Sequence, residues 1–259
     1  MAAHPSRALN EHELDELRRS AEEARAYSFE PSTADEIKRY LNPPATTPYG
    51  LEYAFHLLGD IRGKTVVDLG CGKGENLVPL AERGANVIGL DLSPDLIEWA
   101  KKRASTAGVT ADIRVGSAYA TGLPDESVDV VFCIALVHHL NVQQACNEMR
   151  RILKKTGFVV ISEPVRFSQS YDRVRKLLPA KRNISEQEHP LTRTEYDCLT
   201  TDFSVETVRY FRLPFVPLIE RVTGHTNHFA RVVSGKLIDH VPALQTYATS
   251  VVTRLRKVA

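Results

Sequence analysis

The sequence lacks the features of several classes of protein. It has no long apolar run, because its longest apolar stretch, Val130 to Val137, is far shorter than the ~18 residues that a membrane span needs. It also has little cysteine, without CxxC spacing or a nearby run of histidines. The four cysteines are Cys71, Cys133, Cys146 and Cys198. We therefore expect reduced thiols, no metal site and a cytoplasmic location.

Net charge is nearly absent as well. Lys and Arg number 33 against 32 Asp and Glu, which leaves +1 over 259 residues. Broad nucleic-acid binding is typical of strongly basic domains, so this balance argues against a nucleic-acid partner. The N-terminal residues MAAHPSRALNEHELDELRRS carry charge where a signal peptide would have its apolar core. We expect one domain over residues 1–259 that is neither exported nor membrane-spanning.

What the sequence does contain is an alternation of short apolar runs and helical patterns over residues 63–163. The strand-like runs are 65–69, 86–91, 112–116, 128–134 and 158–162. Two further runs of this kind, 205–213 and 250–255, bring the expected strands to seven. The alternation predicts an α/β fold, doubly wound, with a mostly parallel seven-stranded sheet.

The segments outside this core are expected to be helical. Residues 1–62 are predicted to form an N-terminal lid of three helices, and residues 164–259 a substrate-side half. This half has two insertions, at about 164–200 and 213–246, which we interpret as caps over the ligand edge of the sheet. The expected cap helices cover 171–178, 192–199 and 229–237. Inside the core, one helix is expected to run through Leu153 and to end at Lys154-Lys155-Thr156-Gly157.

A glycine-rich loop, Asp68-Leu69-Gly70-Cys71-Gly72-Lys73-Gly74, follows the first strand. Ligands bind at this edge of open α/β sheets, and glycines let the backbone approach a ligand closely. The spacing is GxGxG rather than the GxGxxG of dinucleotide sites. The Asp68 carboxylate would repel a phosphate but suits an ammonium or a sulfonium, and Asp91, at the end of the next strand, suits the two hydroxyls of a ribose. The loop therefore favours S-adenosylmethionine (SAM) over NAD.

The run VVDLGCGKGENLVPLAERGANVIGLDLS resembles the first two motifs of the class I SAM-dependent methyltransferases. The resemblance continues through Gly116-Ser117-Ala118, Ala135-Leu136-Val137-His138-His139-Leu140 and the segment from Asn147 to Gly157. It covers about residues 60–165 and is similar to the small-molecule branch that includes the ubiquinone and menaquinone C-methyltransferases. It implies a Rossmann-like fold and methyl transfer from SAM, with S-adenosylhomocysteine (SAH) as the product.

The resemblance also implies cofactor contacts at four strand ends. The residues implied at the methionine part are Asp68, Gly70, Cys71, Gly72 and Gly74, and those implied at the ribose are Asp91 and Leu92. Ser117 and Ala118 are implied at the adenine, and Ile134 and His138 near the methyl group. Many relatives have Asp where Ser117 stands. The contact to the adenine amino group is therefore left open, with the main chain as the alternative.

Three histidines are candidate general bases, because imidazole titrates near working pH. They are His138, His139 and His189. The alternative for the adjacent pair is packing beneath the cofactor, and for His189 a local role in its loop. Glu163, Tyr27 and Tyr49 are candidate substrate-binding residues, whose alternatives are closure of a strand for Glu163 and ordinary helix packing for the tyrosines.

The leading hypothesis is methyl transfer from SAM to a small, apolar or aromatic metabolite. Two alternatives stay open: an enzyme of the same fold that binds SAM but catalyses a non-methylating reaction, and a non-catalytic SAM-binding module. The expected partner is a small-molecule substrate, and the chain is expected to be a monomer or a homodimer.

Overall fold

The computed structural model describes residues 9–168 and 189–258. The strands are β1 Thr65–Leu69, β2 Asn86–Asp91, β3 Asp112–Val115, β4 Val128–Ile134, β5 Leu153–Arg166, β6 Leu191–Thr192, β7 Phe203–Phe211 and β8 Ser250–Lys257. The helices are α1 Glu11–Ala26, α2 Ala34–Leu41, α3 Gly50–Leu57, α4 Leu77–Glu82, α5 Pro94–Ala107, α6 Val142–Ile152, α7 Arg193–Thr201, α8 Phe215–Thr223 and α9 His228–His240. Short 3-10 helices cover Val137–His139 and Pro242–Tyr247. The helix expected over 171–178 lies outside the described residues.

The strands form a mixed sheet in the order β3-β2-β1-β4-β5-β8-β7, with the short β6 beside β5. β2 pairs in parallel with both β1 and β3, whereas β8 runs antiparallel between β5 and β7. β1 and β4 are almost wholly buried, as expected for strands covered on both faces. The predicted doubly wound α/β fold with a mostly parallel seven-stranded sheet is confirmed.

The chain divides into two compact units. The first is built from the chain up to Leu41, from Asp60–Phe132 and from Asn147–Gly157. The second is built from Asn42–Gly59, from Cys133–Cys146 and from Phe158 onward. Each unit therefore combines segments that are distant in sequence.

In the first unit, α1 is held against α5. It begins with a capping box, in which the Asn10 side chain accepts from the Glu13 N–H at 2.8 Å and the Glu13 carboxylate accepts from the Asn10 N–H at 2.9 Å. Near its other end, the Trp99 indole donates to the Ala24 carbonyl at 3.2 Å, and Phe29 stacks on Trp99. The predicted N-terminal helices are confirmed, and their role as a lid stays a prediction.

The junction of α6 and β5 differs from expectation. The chain leaves the helix after Ile152, and β5 begins at Leu153. The prediction of a helix that runs through Leu153 and ends at Lys154–Gly157 is therefore wrong. β5 is hydrogen-bonded to β4 in the sheet, and the Lys154 ammonium binds the Asp129 carboxylate of β4 at 2.8 Å, so tertiary contacts override the helical pattern.

In the second unit, a small core joins the ends of β7 and β8 to the segment between them. It consists of buried Leu213, Ile238 and Ala248, with Tyr210, Phe215 and Leu244 packed around it. The Asn227 side chain caps α9 by accepting from the Ala230 N–H at 2.9 Å, and the helix expected over 229–237 is confirmed. Within the described residues, no helix has both the length and the apolarity to cross a membrane.

Candidate active site

The loop after β1 leaves room beside its backbone. Gly72 has φ 50°, and no heavy atom of the described residues, its two chain neighbours apart, lies within 4 Å of the position that a Cβ would occupy. Its N–H donates to the Asp91 carboxylate at 2.9 Å. At Gly74, with φ 80°, a Cβ would lie 2.9 Å from the Ala100 Cα, so glycine is needed for α5 to approach. The loop is thus fixed to β2 and α5 while one of its faces stays open.

Asp68, at the buried end of β1, lacks a cationic partner. It is 1% exposed, and neither carboxylate oxygen has a partner at hydrogen-bond geometry among the described residues. Burial raises the pKa of Asp68 to about 7, and the charge of Asp91 adds to the shift, while the nearby Asn76 side chain opposes it. An ammonium or a sulfonium placed here would stabilise the charged carboxylate.

Asp91, at the end of β2, is already oriented by the backbone. Its oxygens accept from the Ser93 N–H and the Gly72 N–H, each at 2.9 Å, and each keeps a second lone pair for a hydroxyl. Burial raises the pKa of Asp91, and Glu16 and Glu23 of α1 raise it further. Leu92, the next residue, is half-buried. The surroundings therefore disfavour a phosphate and favour a cation.

A carboxylate from α1 reaches the turn after β3. The Ser117 hydroxyl donates to Glu13 at 2.6 Å and accepts from the Tyr119 N–H at 3.1 Å. Glu13 is 4% exposed, and Ala118 is half-buried in the same turn. Glu13 is not among the residues predicted from the sequence, because it precedes Ser117 by 104 residues and its capping box is the only local signal near it. A carboxylate from another element thus lies at this turn.

Glu163 of β5 holds the turn that follows β4. Its Oε1 accepts from the Leu136 N–H at 2.9 Å and the Val137 N–H at 2.8 Å, and the residue is 1% exposed. Ala135, the first residue after Ile134, has φ 53°, a conformation that costs a residue with a Cβ roughly 1–2 kcal/mol. Its own N–H donates to the Ser162 carbonyl at 2.8 Å. β5 therefore stabilises a strained turn.

The same carboxylate orients His138. Its Oε2 lies 2.7 Å from the His138 Nδ1, and the His138 side chain is 13% exposed. A carboxylate that already accepts two N–H groups acts as an acceptor, so we assign the ring proton to Nδ1 and the free lone pair to Nε2. The ring of His139 lies beside it, with centroids 4.0 Å apart. This is the geometry of a general base held by a second group.

His189 makes local contacts. Its Nδ1 lies 3.2 Å from the Pro190 carbonyl, and its Nε2 lies 3.7 Å from Glu195, which forms the capping box of α7 with Thr192. The side chain is 38% exposed. These contacts attach His189 to the start of α7.

The two candidate tyrosines lie in different units. The Tyr27 hydroxyl accepts from Arg103 of α5 at 2.6 Å, and its ring meets the edge of Trp99. The Tyr49 hydroxyl lies 3.0 Å from the Nδ1 of His228 in α9. The candidates thus fall into two groups: the glycine loop with Asp68 and Asp91, and the histidine pair with Glu163.

The thiols and potential metal ligands give no further site. None of the four cysteines forms a disulfide. Burial, with the charges of Asp68 and Asp91, raises the pKa of the Cys71 thiol. Across residues 9–168 and 189–258, no three side chains of His, Cys, Asp or Glu are grouped as a metal ion would require.

Comparison with known proteins identifies the fold. Residues 67–161 match a family described as a methyltransferase domain. Ubiquinone biosynthesis O-methyltransferase of Nitrosomonas europaea is 35% identical over an alignment of 130 residues, which covers 48% of this chain and 54% of that protein. The chain spans about half the length of the curated relatives it matches.

Solved structures extend the likeness beyond the matched domain. Geranyl diphosphate C-methyltransferase from Streptomyces coelicolor A3(2), in complex with Mg²⁺, geranyl diphosphate and SAH, has a TM-score of 0.64 at 16% identity. The match covers 97% of this chain and 100% of the chain of that enzyme. The 4+2 cyclase SpnF has a TM-score of 0.54 at 18% identity over 76% of each chain. These likenesses confirm the Rossmann-like class I fold.

Proposed function

We propose that the chain transfers a methyl group from SAM to a small molecule, on the premise that residues 67–161 match a methyltransferase domain and that the fold is of the class I type. The observation that carries the proposal is the pair of strand-end carboxylates. Asp68 is buried without a hydrogen-bond partner among the described residues, and Asp91 is oriented by two backbone N–H groups. SAM, when bound, supplies a methyl group activated by a sulfonium.

The residues of the first unit fit the parts of this donor. Asp68 would accept from the ammonium of the methionine part, beside the open backbone of Gly72. Asp91 would accept from the ribose hydroxyls. The turn at Ser117 and Ala118 would contact the adenine, with the Glu13 carboxylate at the same turn. Holding donor and acceptor in line supplies up to ~7–11 kcal/mol of the barrier in the best intramolecular cases.

We further propose that His138 is the general base. Its Nε2 would take the proton of an acceptor hydroxyl or acidic carbon as that atom bonds to the methyl carbon and the carbon–sulfur electron pair returns to sulfur. The products are then the methylated acceptor, SAH and a proton on His138, which passes to solvent. General-base catalysis contributes about 10²–10⁴-fold to such a step. A carboxylate acceptor would not need this base.

The expected acceptor is an apolar or aromatic metabolite with an ionisable hydroxyl or carbon. The names of similar proteins support a small molecule as the methyl acceptor, since they refer to ubiquinone biosynthesis and to geranyl diphosphate. Four cysteines that form no disulfide support a cytoplasmic location.

The test is product analysis by mass spectrometry, with SAM and a panel of phenols, hydroquinones, carbon acids and carboxylates. We expect one methylated product and an equal amount of SAH. His138→Gln is expected to lose turnover but retain SAH binding, and the exposed His240→Gln is the matched control with full activity. Consumption of SAM without a methylated acceptor would favour a non-methylating enzyme. Binding without consumption would favour a non-catalytic module.

A further inference from the structure

Arg212 stands at the sheet edge that Glu163 occupies. Glu163 is opposite Val251 in the pairing of β5 with β8, and Phe211, the last residue of β7, is opposite Ser250. The end of β7 therefore lies at the same edge as Glu163, two strands away. Neighbouring strands are 4.7–4.9 Å apart, so this separation is about 10 Å.

The backbone of Arg212 has an unusual conformation. Its φ is 57°, in the left-handed region that glycine adopts without strain. The Arg212 carbonyl accepts from the Thr249 N–H at 2.9 Å and from the Thr249 hydroxyl at 3.0 Å, which fixes the turn. Strained residues of this kind cluster at ligand sites.

The Arg212 guanidinium has no hydrogen-bond or ion-pair partner in the described part of the chain, whereas Arg231 nearby is paired with Glu220 through two bonds of 2.6 and 2.9 Å. Burial lowers the pKa of Arg212; the charge of Arg231 lowers it further, and Glu220 opposes the shift. Glu220 thus forms its ion pair with Arg231 and not with Arg212. A partly buried cation without a partner is costly, and an anion would offset that cost.

Two polar side chains lie beside Arg231. The Arg231 guanidinium lies 5.2 Å from the centre of the Tyr49 ring, and the Tyr49 hydroxyl lies 3.0 Å from the Nδ1 of His228. The planar fork of an arginine matches the oxygens of a carboxylate or a phosphate. Arg212, Arg231, Tyr49 and His228, which we call the arginine cluster, therefore have the composition of an anion site.

We propose that the arginine cluster binds an anionic group, a carboxylate or a phosphate, of the molecule that is methylated, with Arg212 as its direct ligand. The proposal rests on the proposed function, which it narrows to acidic acceptors. Because Arg212 and Glu163 are about two strand spacings apart, the anionic group is well separated from the methylated atom. An apolar or aromatic body would span the distance between them.

The test uses the full chain without SAM, with inorganic pyrophosphate and benzoate as probes measured by calorimetric titration. We expect wild type to bind one of the two, which identifies the anion as a phosphate or a carboxylate. Arg212→Gly is expected to bind it at least about 10-fold more weakly, as for loss of a charge-assisted hydrogen bond. Lys236→Gln, an exposed charge loss in α9, is the control with unchanged affinity.

Stability separates a binding role from a structural one. Arg212→Gly removes a partly buried cation that has no partner among the described residues, and glycine fits φ 57°, so we expect the variant to melt no lower than wild type. Equal affinity in wild type and Arg212→Gly, binding of neither probe to wild type, or failure of Arg212→Gly to fold would each overturn the proposal. Titration with SAH distinguishes failure of this proposal from failure of the proposed function. If anions bind in a way that depends on Arg212 but SAH does not bind, the anion site stands and the proposed methyl transfer is rejected.

Discussion

Replacing Glu163 by Gln tests whether the Glu163 carboxylate sets the tautomer of His138. The amide oxygen of Gln can still accept from the Leu136 and Val137 N–H groups, but an NH₂ group would then stand 2.7 Å from the His138 Nδ1. An NH₂ group donates, so Nδ1 must become the acceptor and the ring proton must move to Nε2. A ring protonated at Nε2 cannot take a proton from the acceptor.

The expected losses follow from this tautomer change. Loss of the charged hydrogen bond costs about 1.5–3 kcal/mol of stability, which leaves the fold intact. Loss of the base lowers kcat by about 10²–10⁴-fold, equivalent to about 3–5 kcal/mol in the barrier. KM for the acceptor is expected to change little, because the acceptor is not bound by Glu163 in this account.

The assay is single-turnover methyl transfer, with thermal melts to check folding. Glu163→Gln and His138→Gln are expected to lose equal activity, and the double variant no more than either, because the two residues act as one unit. Glu206→Gln, on β7, is the matched control with wild-type kcat. Wild-type kcat in Glu163→Gln, or multiplied losses in the double variant, would refute the reasoning.

Three further predictions concern stability. The pKa of Asp68 is about 7 in the folded chain and about 3.9 in the unfolded chain. Between these two pH values the folded chain keeps a proton that the unfolded chain has lost. Wild type should therefore lose stability relative to Asp68→Asn as pH rises towards and through 7, and thermal melts with parallel pH dependence would contradict this. Glu13→Ala removes a capping box and the contact with Ser117, so it should cost about 1–2 kcal/mol and speed hydrogen exchange in α1, unlike Glu22→Ala. Ala135→Gly should relieve the strain at φ 53° and raise the melting temperature, and a lower one would show that the turn is not strained.

The sequence predicts those parts of the site that depend on local pattern. The glycine loop, Asp68 and Asp91 stand at junctions of strands with loops, where hydrophobic periodicity and glycine spacing are informative. Both strand ends lie where the alternation predicts them. His138 and Glu163 are each predicted from the sequence as site residues. The hydrogen bond between them is not predictable from local pattern, because 25 residues separate them.

The parts that escaped prediction depend on contacts distant in sequence. Glu13 reaches Ser117 through the packing of α1, and no pattern near either residue indicates the other. In the sequence, Arg212 looks like an ordinary strand residue. Only the structure shows its φ of 57° and the absence of a side-chain partner among the described residues. The early start of β5 accompanies its pairing with β4, to which Lys154 adds an ion pair with Asp129. Local propensity cannot report such contacts, because tertiary packing decides them.

The central claim is that the strand-end carboxylates bind the methyl donor, and titration with SAH tests it most directly. Wild type is expected to bind SAH and to gain about 2.7 kcal/mol of stability at roughly 100 times Kd. Asp91→Ala should retain its fold but lose this gain, and NAD should stabilise neither protein. No binding of SAH to wild type, or equal binding to Asp91→Ala, would contradict the account.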